Sequence, residues 1–508
     1  MGQLYCEQIW NEWLYEELKN YELTQIAGRQ LKKYNQKGYL HFDPRFWFPD
    51  RQDEIKAVVS NPAEFNCWNF YPFLQVTAQT QRFKPNSSKG QPKRSTKKRP
   101  ICYAAHKDSL IYGFYSYCLT KLYEAFIHKQ GFADSVSSYR TDLKGNCNIQ
   151  FAKEVFDYIK QVGECNAIAL DIKGFFDSLD HIILKINWAQ IIGEERLPAE
   201  QYKLYTTLTE FAFTDREKLL AYLGVDLEKI SPFPQSILDL FPTKQHAGLF
   251  RQLREKEVIK IQREIGIPQG SPMSAVLSNI YMVGYDARMS WLAKENGFLY
   301  KRYCDDILIV CSNELAREVK LIAYEAIEEC KLTIQPAKEE EILFRRDSTG
   351  KLRALNAKSV ERRIHSYSDN RMHYFYKPLQ YLGFEYNGQD VLIRNSSICR
   401  FHRKLKRRVT KSVKMAYSRN GVGDKIFKQT TYRRYSHLGK RNFLTYAYRA
   451  AAETYNSEGG IKLGMNSKKI RGQVARHMKL LEATLNHKNN KRYQEKMQQG
   501  KAIKIKTS

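Results

Sequence analysis

Asp305 and Asp306 stand side by side between two apolar, β-prone segments, Phe298 to Tyr303 and Ile307 to Val310. These residue types predict strand, tight turn, strand, with the acidic pair presented together at one end of a sheet. Adjacent carboxylates repel, raise one another's pKa and resist burial unless a cation neutralises them. A hard divalent ion such as Mg²⁺ suits the pair, since it takes oxygen ligands from one or two carboxylates beside a substrate's phosphates. An ordinary solvated Asp-Asp turn has the same local sequence, and Tyr-x-Asp-Asp alone is a weak motif.

A third acid is placed in a comparable way. Asp171 closes the apolar run Ala167 to Leu170, and Ser178 or Asp180 can cap a helix signalled by Ile182, Ile183, Ile186 and Trp188. A strand terminus holds a metal ligand rigidly, although a strand-end Asp also serves as a plain turn former. Further on, Ile267-Pro-Gln-Gly-Ser-Pro272 predicts a turn, with Ser271 able to cap and Pro272 at the first position of a helix through about Leu292. Gln269 and Gly270 would be displayed on backbone that a flat nucleobase can approach, because Gly has no Cβ. Arg140, and Lys144 beside Gly145, suit a triphosphate by charge, a weak signal by itself.

The elements that must position these residues follow in chain order. Residues 1–80 mix helical and aromatic stretches without a chemical motif and are expected as a supporting extension. Arg82 to Arg99 carry eight basic residues and no acid, which suits either a disordered linker or a mobile loop over a phosphate backbone. Leu110 to Ile127, Ala199 to Phe211 and Gln245 to Ile259 have helical patterns, as does the series Leu315, Val319, Ile322, Ala326. Leu332 to Lys338 is expected as an edge strand containing Pro336, and Leu379 to Glu385 as a strand bent at Gly383. Lys404 to Met415 and Ile470 to Leu485 are expected as basic amphipathic helices. The predicted division is 1–97, including the basic linker 82–99; a core over 98–395 with an insertion at about 190–262; and a basic helical region over 396–508.

Composition narrows the function classes. At 508 residues with 43% hydrophobic content the chain has ample material for a core. Its net charge of +29 exceeds what solubility requires and predicts a polyanionic partner, nucleic acid before a membrane surface. From Phe401 to Ser508 there are 28 Lys and Arg against 5 Asp and Glu, which concentrates most of that charge in the last fifth. Basic residues interleaved with aromatics, as in Tyr432 to Phe443, suit backbone contact plus base stacking. The ten cysteines form no C-x-x-C and predict neither zinc nor disulfides. No run reaches the length of a membrane helix and the N-terminus lacks a signal-peptide pattern, so a cytoplasmic location is expected.

Taken in order, Asp171, the Ile267 to Pro272 turn and Tyr303-Cys-Asp-Asp306 resemble motifs A, B and C of reverse transcriptases. Arg99-Pro-Ile and Ser138-Tyr-Arg140 resemble the fingers motifs, Lys338 the motif D lysine, and Tyr381-Leu-Gly-Phe384 the primer grip. The resemblance implies an α+β right-hand polymerase with fingers, an antiparallel-sheet palm and a basic, helical C-terminal thumb. It implies an RNA-directed DNA polymerase using two Mg²⁺ ions, dNTP substrates, an RNA template and a DNA product. Asp171, Asp305 and Asp306 would then form the metal site, with the Ile172 carbonyl as an added ligand. Lys338 would protonate the leaving group, Arg140 contact the triphosphate, and Gln269 with Gly270 position template and nucleotide. Phe176, five residues after Asp171, matches the bulky gate that excludes a 2′-hydroxyl.

The long segment between motifs A and B and the basic C-terminus most resemble the bacterial unknown-group and abortive-infection enzymes. That subgroup implies an antiphage role, a dedicated noncoding RNA, a homo-oligomer and priming from a protein hydroxyl. A group II intron-type maturase, or a non-catalytic RNA-binding scaffold on a polymerase fold, are the alternatives.

Overall fold

Strand β3, Cys165–Asp171, is the middle of a five-stranded sheet into which every other central element packs. The computed structural model describes residues 4–26, 34, 36–84, 93–226, 234–241, 248–358, 376–418, 426–457 and 460–506. With β6 (Leu299–Tyr303), β7 (Asp306–Cys311), β8 (Glu340–Arg346) and β9 (Leu352–Asn356), the strand order is β6-β7-β3-β8-β9. All neighbouring pairs are antiparallel. The uninterrupted apolar run of β7 follows from burial on both faces. Ile307 and Ile309 enter one core with Ile168 and Leu170, whereas Leu308 and Val310 enter the other with Ala167.

The first core is closed by helices His106–Lys129, Ser274–Tyr281 and Ala316–Glu329, through residues such as Phe114, Leu277 and Ala323. The second is closed by helix Asn148–Val162 and by the C-terminal helix Asn395–Ala416, through Phe156, Ile159, Leu405 and Val409. A separate four-stranded sheet, order β2-β1-β4-β5, contains β1 (Phe73–Lys84), β2 (Lys93–Tyr103), β4 (Ala212–Asp215) and β5 (Ile259–Ile261). The segment around 190–262 thus returns two strands to the sheet begun by β1 and β2. The N-terminal helix Glu7–Ile26 docks by Trp10 and Trp13 against Phe114.

The C-terminal region is helical as expected, with helices Gln429–Tyr435, Phe443–Ala451, Lys468–Val474 and His477–Lys506. Its strands β13 (Thr454–Ser457) and β14 (Gly460–Leu463) form a hairpin, and β10 (Leu379–Tyr381), β11 (Phe384–Tyr386) and β12 (Val391–Ile393) form a small antiparallel sheet leading into it. All ten cysteines are free. Among the described residues no helix is long and apolar enough to cross a membrane.

Four local expectations are corrected. Residues 82–84 and 93–99 are not linker: they lie in β1 and β2, registered from Leu74↔Tyr103 to Lys84↔Lys93, with 85–92 outside the described residues. Ladder hydrogen bonds here outweigh the polar, charged composition from which a linker was expected. Residues 332–338 form only an isolated bridge, Ile172↔Ile334, before the 3₁₀ turn Pro336–Lys338, because Pro336 has no N–H for a ladder. The helix after Pro272 begins at Ser274 and breaks at Met282, continuing as Val283–Asn296. Leu379 to Glu385 is a hairpin, since Leu382 and Gly383 take φ values of +45° and +90° in a two-residue turn between Tyr381 and Phe384.

Candidate active site

The β3–β7 register pairs Asp171 directly with Asp306, and Asp305 occupies the two-residue tip between β6 and β7. All three acids are therefore brought to one end of the central sheet, as expected from their strand-end positions. The Ile172 N–H donates to the Asp305 carbonyl at 3.2 Å, which ties the tip to the end of β3. The Gln335 N–H donates to the Asp171 carbonyl at 2.7 Å and brings Lys338 to the same end. Lys338 Nζ forms an ion pair with Asp171 Oδ1.

The Asp306 carboxyl titrates at about 6, far above its ordinary value. Desolvation is the largest cause, followed by the charges of Asp305 and Asp171; Lys338 and Arg394 oppose the shift. The like-charge problem seen in the sequence is thus present in the fold.

The hairpin tip carries backbone strain, because Cys304 has φ +58°, a region that costs a non-glycine residue about 1–2 kcal/mol. Three contacts hold it. The Cys304 N–H donates to Ser138 Oγ at 2.8 Å, the Tyr139 hydroxyl donates to Cys304 Sγ at 3.5 Å, and Arg302 donates to the Cys304 carbonyl at 3.1 Å. Arg302 is wholly buried and paired with Asp286 through Nε at 2.7 Å and Nη2 at 2.5 Å, and Tyr300 adds a hydroxyl donor to Asp286 at 2.6 Å. Ser138 is in turn fixed by Asn279, whose amide donates to its carbonyl at 2.9 Å. Burial and then Asp305 push the Cys304 thiol up to about 12, which leaves it a packing residue and not a nucleophile.

Phe176 lies in the 3₁₀ turn Phe175–Asp177, half-buried, with its ring 5.6 Å from that of Phe175. Its carbonyl accepts from Ile267 N–H at 2.8 Å, so the turn after Asp171 and the Ile267 to Pro272 turn are bonded together. Gln269 is half-buried, and its carbonyl accepts from Cys102 N–H in β2 at 2.8 Å. Gly270 has φ +114°, and a Cβ there would stand 2.8 Å from the Cys102 carbonyl and 2.9 Å from Ile101. β2 thus packs directly on Gly270, and a glycine is required here by the close approach of two backbones. Asp180, not Ser178, caps the following helix, accepting from Ile182 and Ile183 N–H at 2.9 and 3.0 Å.

Arg140 lines a 490 Å³ cavity with Tyr139 and Tyr303, beside the hairpin of Asp305 and Asp306. Its side chain is 1% exposed and donates to the carbonyls of Ala133 and Val136 at 2.7 and 3.1 Å and to Asp142 Oδ1 at 3.0 Å, with Glu124 3.7 Å away. Those partners occupy the guanidinium in the ligand-free fold. Sequence reasoning passed over Asp286 and Arg302; the one available signal was a run of charge, Lys301 and Arg302, inside a strand otherwise packed on both faces.

The carboxylate oxygens of Asp171, Asp305 and Asp306 suit a hard divalent cation by donor type. Among the described residues, however, no three His, Cys, Asp or Glu side chains converge as a metal site, and Asp171 is held by Lys338.

No curated protein sequence matches the chain. Among solved structures, apo telomerase from Candida tropicalis truncated from its C-terminal domain is similar at 13% identity, over 64% of this chain and 57% of that one, with a TM-score of 0.36. Telomerase from Candida albicans in complex with a TWJ fragment of telomeric RNA is similar at 12% identity, over 72% and 56%, with a TM-score of 0.32. The chain thus spans less than two thirds of these relatives' length. The profile described as "Reverse transcriptase (RNA-dependent DNA polymerase)" matches residues 91–386, which contain β3, β6, β7 and all three acids. With that match over more than half its length, in an α+β fold built on an antiparallel sheet, the chain belongs to the reverse transcriptase family.

Proposed function

We propose that this protein is an RNA-directed DNA polymerase that extends a DNA strand with dNTPs at the end of the β3–β7 sheet. The observation that carries the reading is the direct pairing of Asp171 with Asp306 beside Asp305, three acids from two distant segments at one point of a family-matched fold. Asp171, Asp305 and Asp306 would hold two Mg²⁺ ions, with the Ile172 carbonyl beside them. When bound, such ions lower the pKa of a primer 3′-hydroxyl and neutralise the triphosphate and leaving pyrophosphate. Lys338, already at Asp171, is placed to give a proton to the leaving group. Phe176 excludes a 2′-hydroxyl, and Gln269 steadies the nucleotide from the turn bonded to Phe176.

A polyanionic strand has a matching surface. Helix Asn395–Ala416 carries eight Lys and Arg and no acid, and Lys404, Arg407, Arg408, Lys411 and Lys488 line a cavity of 800 Å³ along it. This supports binding of an RNA template and its DNA product through the phosphates. The reading includes a role in bacterial antiphage defense with a dedicated noncoding RNA, in the cytoplasm and as a homo-oligomer. Resemblance to the unknown-group enzymes in the segment around 190–262 and in the basic C-terminus supports it.

The test is to purify the protein with its bound nucleic acid, sequence that material, and supply dNTPs with Mg²⁺. Extension that disappears in Asp305→Ala plus Asp306→Ala is expected, and equal product from that variant refutes the polymerase reading. Bound RNA of intron sequence in place of a discrete noncoding RNA would refute the defense role.

A further inference from the structure

The first turn of helix Asn148–Val162 touches two hairpins at once. The Asn148 amide nitrogen donates to the Leu382 carbonyl at 2.8 Å, in the two-residue turn between β10 and β11. One helical turn on, the Phe151 ring lies 6.2 Å from that of Tyr303, the register partner of Asp306. Positions i and i+3 share a helix face, so one rigid turn reaches from one hairpin to the other. Asn148, Phe151, Tyr303 and Leu382 all line the 490 Å³ cavity beside the hairpin of Asp305 and Asp306, a volume within the usual range of a ligand site.

Asn148 is itself held. Gln150 closes the start of the helix, its Oε1 accepting from Cys147 N–H at 3.0 Å. The Gln150 Nε2 donates to the Tyr455 hydroxyl at 3.0 Å and to the Leu463 carbonyl at 2.5 Å, in β13 and β14. The Asn148 nitrogen also donates to the Tyr446 hydroxyl at 2.9 Å, on helix Phe443–Ala451. A carbonyl can only accept, so the Leu382 contact fixes which end of the amide faces the turn. A Cβ on Gly383 would lie 3.7 Å from the same nitrogen, so the amide meets the turn at both of its residues.

We propose that Asn148 is a positioning residue: through the Leu382 carbonyl it fixes the cavity wall against which the end of the growing DNA strand lies when it reacts at Asp305 and Asp306. This rests on the polymerase reading above. Three variants separate that role from plain attachment of the C-terminal region. Asn148→Leu loses both bonds of the amide, Asn148→Asp keeps the size and can still accept from the Tyr446 hydroxyl, and Tyr446→Phe leaves the Leu382 bond in place. With primer and template saturating, both Asn148 variants should lose about tenfold or more in kcat, the scale of a small misplacement of a reacting group. Their KM for dNTP should stay within about twofold, because the nucleotide is bound elsewhere than at this wall. Tyr446→Phe, which breaks a bond of the same amide, should keep kcat within about twofold whatever it loses in Tm. Should Asn148→Leu fail to fold, Asn148→Asp carries the same expectation. Parental kcat in the folded Asn148 variants overturns the proposal, as does a loss of kcat in Tyr446→Phe equal to theirs. An inactive parent fails the polymerase reading, and an active parent matched by the Asn148 variants fails only this one.

Discussion

Replacing Asp286 tests how the hairpin that carries Asp305 and Asp306 is held. Its carboxylate accepts three hydrogen bonds, two from Arg302 and one from Tyr300, and neither Asp286 nor Arg302 has any exposed surface. In Asp286→Leu the guanidinium is left as an uncompensated charge in the core, a loss of about 3–5 kcal/mol. The stranded Tyr300 hydroxyl adds about 1–2 kcal/mol. The expected total, about 4–7 kcal/mol, should appear in urea unfolding as a lower midpoint at similar slope. Adding Arg302→Met removes the stranded charge with little change in volume, so the double variant should recover most of that stability. It should not recover full activity, because the Arg302 bond to the Cys304 carbonyl is also gone and the strained tip loses one of its three holds. A double variant as unstable as Asp286→Leu, or one with parental primer extension, would refute the account.

Other perturbations address single residues. Asp306 titrates at about 6 in the fold and near 4 when unfolded, so the folded state binds the extra proton between those values and loses stability as pH rises through them. Asp306→Asn should therefore raise metal-free Tm at pH 7.5 and give no gain at pH 4; equal shifts at both values would contradict the sign. Phe176→Ala should raise ribonucleotide incorporation by roughly tenfold or more in single-nucleotide extension, since a wall of that size rejects by clash; unchanged selectivity removes its gate role. Arg140→Ala should cost about 3 kcal/mol by denaturation, because Glu124 and Asp142 lose a buried partner. A raised dNTP KM with intact stability would instead return Arg140 to the triphosphate.

Strand-end acids were readable without the fold because apolar run, turn and acid are local patterns. Asp171 ends a strand, Asp306 begins one and Asp305 lies in the turn before it, and the residue types announce those strands. The expected linker failed for the opposite reason: Arg82 to Arg99 has the composition of a disordered segment, yet residues 82–84 and 93–99 pair in β1 and β2, as in Arg82↔Ser95 and Ala78↔Arg99. Gly270 and Arg140 were singled out by residue type alone, without their surroundings. Space beside a glycine and donors on an arginine have meaning only once the neighbours are known, and here those are Cys102, Ile101, Glu124 and Asp142.

The chain alone therefore determined the family, the α+β class, the three acids and a cationic C-terminus suited to a polyanion, all properties of residue type and short-range order. Only the tertiary structure decided which carboxylate bears the repulsion, what holds the hairpin and which polar groups are spent. Desolvation, pairing and strain depend on distances between residues such as Asp286 and Arg302, or Asp171 and Asp306, whose proximity follows from strand register and packing and not from their spacing in the chain.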